Sequence, residues 1–148
     1  QKAEKGTASE EPGRTAKAKR GRGGLPESIR LTVGPLPKAC SKNARDHWYA
    51  AYRDGRDFQS IVHFTARFEL SRKPTVLPWP HITVALILRR KRRGRIDPDN
   101  VWSMFKPGLD GLVDAGLVTD DDTEHVTLGA ITKEVSEVEE TVIIVRRE

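Results

Sequence analysis

The sequence predicts a single α+β domain, with a mixed sheet and helices packed on it, behind an N-terminal tail. The chain has 148 residues, which is enough for one domain with a real core but hardly for two. Its apolar residues follow the period of strands and helices in the order strand, helix, strand, helix, strand, strand. Large apolar side chains are almost missing before residue 28.

The first 27 residues are rich in Lys, Arg, Glu, Gly, Ala, Ser and Thr. Such a segment buries too little apolar surface to offset the entropy lost on ordering, so we expect residues 1–27 to form a disordered basic tail. Residues 17–22 can contact phosphate non-specifically, although tails of this kind more often only solubilise. The folded domain is expected to span residues 28–148.

The first strand and the first helix follow from their apolar spacing. Residues 29–33 alternate and predict a strand, which Gly34 and Pro35 end. Residues 46–68 have the helical period, and Gly55 is expected to weaken or kink this helix. Five residues are expected to form its buried stripe: Trp48, Tyr52, Phe58, Val62 and Ala66.

Three further strands are predicted. Residues 81–90 are apolar at alternate positions and still mostly apolar on the other face, which predicts a central strand covered on both sides. Residues 125–132 and 141–146 supply the last two strands.

A second helix is predicted at residues 100–115. Asp97 or Asp99 is a suitable N-cap, and Gly116 stands where a C′ glycine is expected. Residues 107–108, Pro-Gly, are unusual inside a helix and are expected to separate its first turn from the rest. The expected buried stripe is Val101, Phe105, Leu109, Leu112 and Val113, and the expected polar face is Lys106, Asp110 and Asp114.

The composition narrows the function classes. A net charge of +5 suits a nucleic-acid partner or an anionic surface. The single Cys40 excludes an internal disulfide and a cysteine-based zinc site, which favours a reducing compartment. The longest apolar run, residues 84–88, is too short for a membrane span, and no secretory signal is visible. The four histidines show no metal-ligand spacing.

The densest basic run stands directly before repeated carboxylates. A polyanion is attracted by the run and repelled by the aspartates, unless a hard divalent cation lies between carboxylate and phosphate. The combination therefore favours a metal-dependent phosphodiester enzyme, whereas the simpler interpretation is a solvated turn beside a solvated charge run. The run, predicted to contact DNA, consists of Arg89, Arg90, Lys91, Arg92, Arg93 and Arg95.

Asp97 and Asp99 are the first carboxylates after the run. In an extended segment, side chains two residues apart project to the same side, so both can face one cation. Mg²⁺ prefers oxygen ligands and keeps several waters, and a metal held in this way can assist hydrolysis of a phosphodiester. The alternative is that the two aspartates only cap the following helix and shape its turn.

The wider pattern resembles the signature of the RusA-like Holliday junction resolvases. A D-x-D-N pair at residues 97–100 is followed by the helical Lys106, an L-D-x-L…A-G stretch at residues 109–116, and paired aspartates at residues 120–121. The resemblance covers residues 95–122, with a weaker similarity at residues 37–48.

This resemblance implies a phage-type, magnesium-dependent endodeoxyribonuclease. Such an enzyme resolves four-way DNA junctions in recombination and repair by paired phosphodiester hydrolysis, with Mg²⁺ as cofactor, for which Mn²⁺ can substitute. It further implies a homodimer that acts on branched DNA, no membrane association, and a location in the cytoplasm of a bacterium or a phage-infected host.

The resemblance also assigns roles to individual residues. It implies that Asp97, Asp99 and Asp121 are catalytic carboxylates that bind the metal, that Lys106 is the catalytic lysine, and that Asp120 supports the site. The interval from Asp99 to Asp110 is about three residues longer than in the family pattern. Counting forward from Asp99 therefore selects Ser103 instead of Lys106.

Several alternatives stay open at the level of sequence. The third metal ligand is ambiguous among residues 120–122, and Lys106 can also be a simple i, i+4 partner of Asp110. A non-catalytic basic nucleic-acid-binding protein accounts for the charge without any chemistry. A nuclease of broader branched-DNA specificity accounts for the aspartates equally well.

Overall fold

Four strands form one mixed sheet, and two α-helices pack on it. The computed structural model describes residues 27–42 and 48–148. Within these residues the predicted α+β class, the single domain and the order of elements are confirmed. The predicted tail, the predicted helix start at Asp46, and His47 lie outside the described residues.

The elements agree with their predicted positions to within a few residues. The sheet order is β1-β4-β2-β3, with β4 antiparallel to both β1 and β2, and β3 parallel to β2. A short 3-10 helix, Lys38–Cys40, follows β1. The other bounds are β1 Ser28–Val33, α1 Trp48–Ser71, β2 Ile82–Arg90, α2 Pro98–Asp114, β3 Val126–Val135 and β4 Glu140–Arg147.

The core lies on one face of the sheet. Alternate residues of β2, from Ile82 to Leu88, are buried together with Val62 of α1 and Phe105 of α2. The expectation that β2 is covered on both sides holds only in part, because both helices pack on this same face. On the opposite face Ala85 and its neighbours in β2 are half-exposed.

The predicted stripe of α1 is confirmed in its middle and wrong at its start. Phe58, Val62 and Ala66 are buried, but Trp48 and Tyr52 are 69% and 58% exposed. The buried residues of α1 begin only at Gly55, the position that faces Pro107 of α2.

Neither predicted helix break occurs. Gly55 lies inside a continuous α1, and a Cβ built on it would meet Pro107 Cγ at 3.3 Å, so the glycine permits the two helices to approach. Pro107 lies inside a continuous α2, where its ring fills the space opposite Gly55. The missing N–H of Pro107 removes one helical hydrogen bond, and the packing of its ring against α1 accompanies this loss.

The two ends of α2 are capped as the sequence predicts. Asp97 is the N-cap, in extended conformation, and Gly116 adopts φ of 84° after the last turn. The Gly116 N–H donates to Val113 O at 2.9 Å and the Leu117 N–H to Leu112 O at 3.2 Å, which is the Schellman pattern.

The helices α1 and α2 run parallel. Gly55, in the first part of α1, faces Pro107 in the middle of α2, and further along the Arg67 side chain donates to Ala115 O at 3.2 Å. Between these points Gly111 allows close approach, since a Cβ there would lie 2.6 Å from Gln59 O. Both helices therefore begin toward the same end of the molecule, and the loop of residues 91–97 leads directly into α2.

Candidate functional site

The side chain of Asp97 caps α2. Its Oδ1 accepts from the Asp99 N–H at 3.1 Å and from the Asn100 N–H at 3.5 Å, while Oδ2 makes no hydrogen bond within the described part of the chain. The capping interpretation of Asp97 is therefore correct. The cap uses only Oδ1 of the Asp97 carboxylate, so Oδ2 remains available to a cation.

Asp99 and Asn100 form the first turn of α2. The exposed Asp99 carboxylate lies 3.9 Å from the Nζ of Lys42. Asp99 is in the first turn of α2, where a negative charge interacts favourably with the positive end of the helix dipole. Asn100 Oδ1 accepts from Ser41 Oγ at 2.6 Å and from the Lys42 N–H at 3.0 Å. The asparagine of the D-x-D-N pattern thus fastens the segment after the 3-10 helix to α2, a role that sequence spacing did not reveal.

Lys106 joins two carboxylates on the outer side of α2. Its Nζ lies 2.8 Å from Asp110 Oδ1 and 2.5 Å from Asp121 Oδ2. Partial burial lowers the pKa of Lys106, but the hydrogen bonds to Asp110 and Asp121 outweigh it, so the pKa lies above its ordinary value. Lys106 is therefore a fixed cation at neutral pH.

The hydrogen bond from Lys106 also changes the pKa of Asp121. It lowers this pKa below its ordinary value, against the effect of desolvation. Asp121 is thus an ionised carboxylate at neutral pH, held next to an ammonium group 15 positions earlier in the chain.

The three consecutive aspartates have three different surroundings. Asp120 Oδ1 accepts from the Asp121 N–H at 2.7 Å, which fixes the turn that carries Asp121. Asp122 Oδ1 lies 2.5 Å from His125 Nδ1, and this contact lowers the pKa of Asp122 and raises that of His125. Asp121 is accordingly the member of the series that contacts Lys106.

Ser103 points toward a different neighbour. Its Oγ donates to Cys40 O at 3.1 Å, which ties α2 to the 3-10 helix. Asp99, Lys106 and Asp110 follow each other at intervals of seven and four residues, so they lie along one side of α2. The structure therefore gives Ser103 a structural contact and places Lys106 on the side that carries the carboxylates.

The predicted metal ligands form two separate groups. Asp99 and Lys106 are seven residues apart, about 10 Å of helical rise, and Asp121 lies with Lys106. No set of three His, Cys, Asp or Glu side chains in residues 27–42 and 48–148 is placed to hold a metal ion. Asp97 and Asp99 offer only oxygen donors, which suits Mg²⁺, whereas Asp121 lies apart from them beside Lys106.

Arg89 differs from the rest of the basic run. Its guanidinium lies 2.6 Å from Glu140 and 3.2 Å from Glu134, so it connects β2 to both neighbouring strands. The hydrogen bonds to Glu140 and Glu134 raise its pKa above the ordinary value. The residues of the run that are exposed in the loop after β2 are Lys91, Arg92, Arg93 and Arg95.

Two clefts lie beside this loop. One is lined by Asp97 together with Arg90 and Arg95, and it lies at the beginning of α2. The other is lined by Arg90, Arg92, Arg93 and Lys133. Sequence analysis missed Lys133, which also donates to Gly94 O, because only the pairing of β3 with β2 brings it to the loop.

Comparisons with known proteins add no relative. No protein-family model matches the chain, and no curated protein is significantly similar to it. Within the described residues, neither α-helix combines the length and the apolar character needed to cross a bilayer.

Proposed function

We propose that this protein is a magnesium-dependent, structure-selective endodeoxyribonuclease of the RusA-like class that resolves four-way DNA junctions. The observation that carries the proposal is the 2.5 Å contact between Lys106 and Asp121. The family resemblance assigns these two residues to one active site, although they are far apart in the sequence. Lys106 lies on the side of α2 that also carries Asp99, seven residues or about 10 Å of helical rise further from the basic loop.

Asp97 and Asp99 would hold the metal in this proposal. When bound, Mg²⁺ supplies Lewis-acid stabilisation of the charge that develops on the scissile phosphate. Asp97 contributes Oδ2 while Oδ1 keeps the helix capped. The N-terminal end of α2 adds a favourable backbone potential for the anionic substrate.

Lys106 and Asp121 have complementary roles in the proposed reaction. The raised pKa of Lys106 keeps its ammonium protonated, so it serves as an electrostatic partner for the phosphate or the leaving oxygen and not as a base. Asp121 holds the ammonium in position, and Asp120 holds Asp121.

The basic loop, residues 91–95, binds DNA in this proposal. Arg92, Arg93 and Arg95 are exposed beside the clefts near Asp97 and can contact phosphates that flank the cut. Resolution of a junction requires two incisions related by a two-fold axis, so two copies of the chain are the simplest arrangement.

The decisive experiment uses a synthetic four-way junction and a linear duplex of the same sequence. We expect the full chain to cut the junction with Mg²⁺, to leave the duplex intact, and to lose cutting in EDTA. Asp99→Asn should keep junction binding and lose cutting by at least about 100-fold, since it removes a metal ligand but no positive charge. An intact junction with wild type, or a cut junction with Asp99→Asn, contradicts the proposal.

A non-catalytic nucleic-acid-binding protein is the second candidate. It is favoured by the capping role of Asp97 and by the Lys106–Asp110 pair, since both are stabilising contacts without chemistry. It predicts salt-sensitive binding that neither EDTA nor Asp99→Asn affects, and no strand cleavage. A nuclease of broader specificity instead predicts metal-dependent cutting of flaps and forks as fast as that of junctions.

A further inference from the structure

A further cleft lies between α2 and β3, on the face of the sheet that carries both helices. Ile131 of β3 pairs with the buried Leu86 of β2, so both side chains project to this face. The cleft, which we call the Trp102 cleft, is lined by Ile96, Pro98, Trp102, Gly129, Ile131 and Lys133. Among these lining residues Lys133 alone is charged, so the walls are apolar and the charge lies at one place.

The Trp102 side chain is half-buried and held in position. Part of it packs against the core, and its ring centre lies 5.9 Å from that of the buried Phe105, with the two ring planes at 75°. The rest of the indole lines the cleft. A fixed aromatic surface beside positive charge is an arrangement on which bases of single-stranded DNA stack, because every base has a flat π face.

The positive charge of the cleft lies beside the basic loop. Lys133 donates to Gly94 O of that loop, and a lysine ammonium has three donors, so it can bind a phosphate at the same time. Lys133 also lines the neighbouring cleft together with Arg92 and Arg93. The Trp102 cleft therefore shares a lysine with the surface that attracts phosphate.

Trp102 also lies near the proposed catalytic residues along α2. It follows Asp99 by three residues and precedes Lys106 by four, and residues at these intervals are neighbours on one side of a helix. A base that stacks on Trp102 would therefore belong to a nucleotide near the proposed position of the cut.

We propose that the Trp102 cleft binds one unpaired base of a DNA strand, stacked on the indole, while Lys133 binds a neighbouring phosphate. The inference rests on the proposed function for DNA as the ligand, but it does not require cleavage. A base inside a duplex must leave its stack before it can enter a cleft, and the cost in free energy is least where the strand is already unpaired. The cleft would thus favour DNA that is unpaired near the cut over a continuous duplex.

Binding of the full chain to two fluorescent strands of about 12 nucleotides tests the proposal, in EDTA and at low salt. One strand is oligothymidylate, and the other has the same phosphates but abasic sugars throughout. We expect wild type to bind oligothymidylate about tenfold more tightly, since only this strand can stack on Trp102. Stacking should also quench the tryptophan fluorescence with oligothymidylate and leave it unchanged with the abasic strand.

Substitutions separate the base contact from the phosphate contact. Trp102→Leu should lose the tenfold preference and keep the affinity for the abasic strand, because leucine is apolar but has no aromatic face, whereas Trp102→Phe should keep most of the preference. Trp48→Leu replaces the exposed tryptophan at the start of α1, and as the matched control it should keep both the preference and the quenching. Lys133→Ala should weaken binding to both strands equally and lower the slope of log K against log salt by up to about 0.7.

Circular dichroism checks that the variants fold, and the comparison of the two strands with wild type needs no variant. Equal affinity of wild type for both strands, or a preference that survives Trp102→Leu, would overturn the inference even if junctions are cut. A preference that depends on Trp102 in a chain that cuts no junction would support the inference and contradict only the proposed nuclease.

Discussion

Asp97 has an observed capping role and a proposed metal-binding role, which a single substitution can separate. One carboxylate oxygen caps α2, and the other is the proposed ligand of the metal. The sequence indicated both interpretations as alternatives, and the structure shows that capping uses only Oδ1 of the two carboxylate oxygens. The choice of the substituted side chain therefore decides which function is lost.

Asp97→Asn should keep the cap, because the Asn side chain accepts the same backbone hydrogen bonds. Its free energy of unfolding should stay close to wild type, while junction cutting falls by at least about 100-fold. Asp97→Ala should lose cutting and also about 1 kcal/mol of stability. Chemical denaturation and a cleavage assay on the same samples measure both effects. Normal cutting by Asp97→Asn would show that Asp97 caps the helix and is not a metal ligand.

Lys106 and Ser103 can be distinguished by the same kind of comparison. Lys106→Ala should lower turnover with little change in junction affinity, since an interaction that is stronger in the transition state changes the chemical step. Ser103→Ala removes only the hydrogen bond to Cys40 O, so it should cut nearly normally with a stability loss of about 1 kcal/mol. Single-turnover cleavage and binding titrations measure the two quantities. Normal cutting by Lys106→Ala with loss in Ser103→Ala would reverse the assignment.

At the scale of elements, periodicity located every strand and α-helix in the described residues but not the 3-10 helix Lys38–Cys40, and it could not show which parts of a helix are covered. Trp48 and Tyr52 have the spacing of a buried stripe, yet both are exposed, and the buried part of α1 begins only at Gly55. The unusual pair Pro107-Gly108 indicated a break, whereas the helix remains whole and uses Pro107 to pack against Gly55. Both errors concern contacts between elements, which spacing along one element does not contain.

The contact between α1 and α2 depends on glycine at position 111. A Cβ there would lie 2.6 Å from Gln59 O and 3.0 Å from Val62 Cβ, which the packed helices cannot accommodate without moving apart. Gly111→Ala should therefore lower the free energy of unfolding by about 1–3 kcal/mol, although alanine favours helix formation. Gly94→Ala, in an open loop, is the matched control and should leave it nearly unchanged. Thermal and urea unfolding measure the difference, and an unchanged or more stable Gly111→Ala would contradict the packing argument.

At the scale of the whole molecule, the sequence named candidate site residues, but it did not show which of them lie together. Lys106 and Asp121 were named from a motif, and the turn after α2 brings them into contact. The separation of Asp99 from Asp121 follows from the length of α2, and the pairing of Arg89 with two glutamates follows from the strand order. The Lys106–Asp121 contact and the pairing of Arg89 arise only when separate elements come together in the fold.

The basic loop should dominate binding to DNA of any shape. Replacing Arg92 and Arg93 together with alanine should weaken binding to junction and duplex alike, and lower the slope of log K against log salt by up to about 0.9 for each phosphate that the variant no longer neutralises. Arg89→Ala should chiefly destabilise the fold, since Arg89 is held between Glu134 and Glu140. Binding titrations between low and moderate salt check the slope. An unchanged slope would show that the loop is only a solvated surface.

The parallel course of α1 and α2 has an electrostatic consequence. The peptide dipoles of a helix add up to about half a positive charge at its amino-terminal end. Because α2 begins three residues after Arg95 and α1 runs in the same direction, the partial charge of α2 adds directly to that of the arginines there and that of α1 points toward the same end. This part of the potential belongs to the backbone, so it persists in every side-chain variant of the loop. The attraction of this end for anions is therefore set partly by the direction in which the helices run.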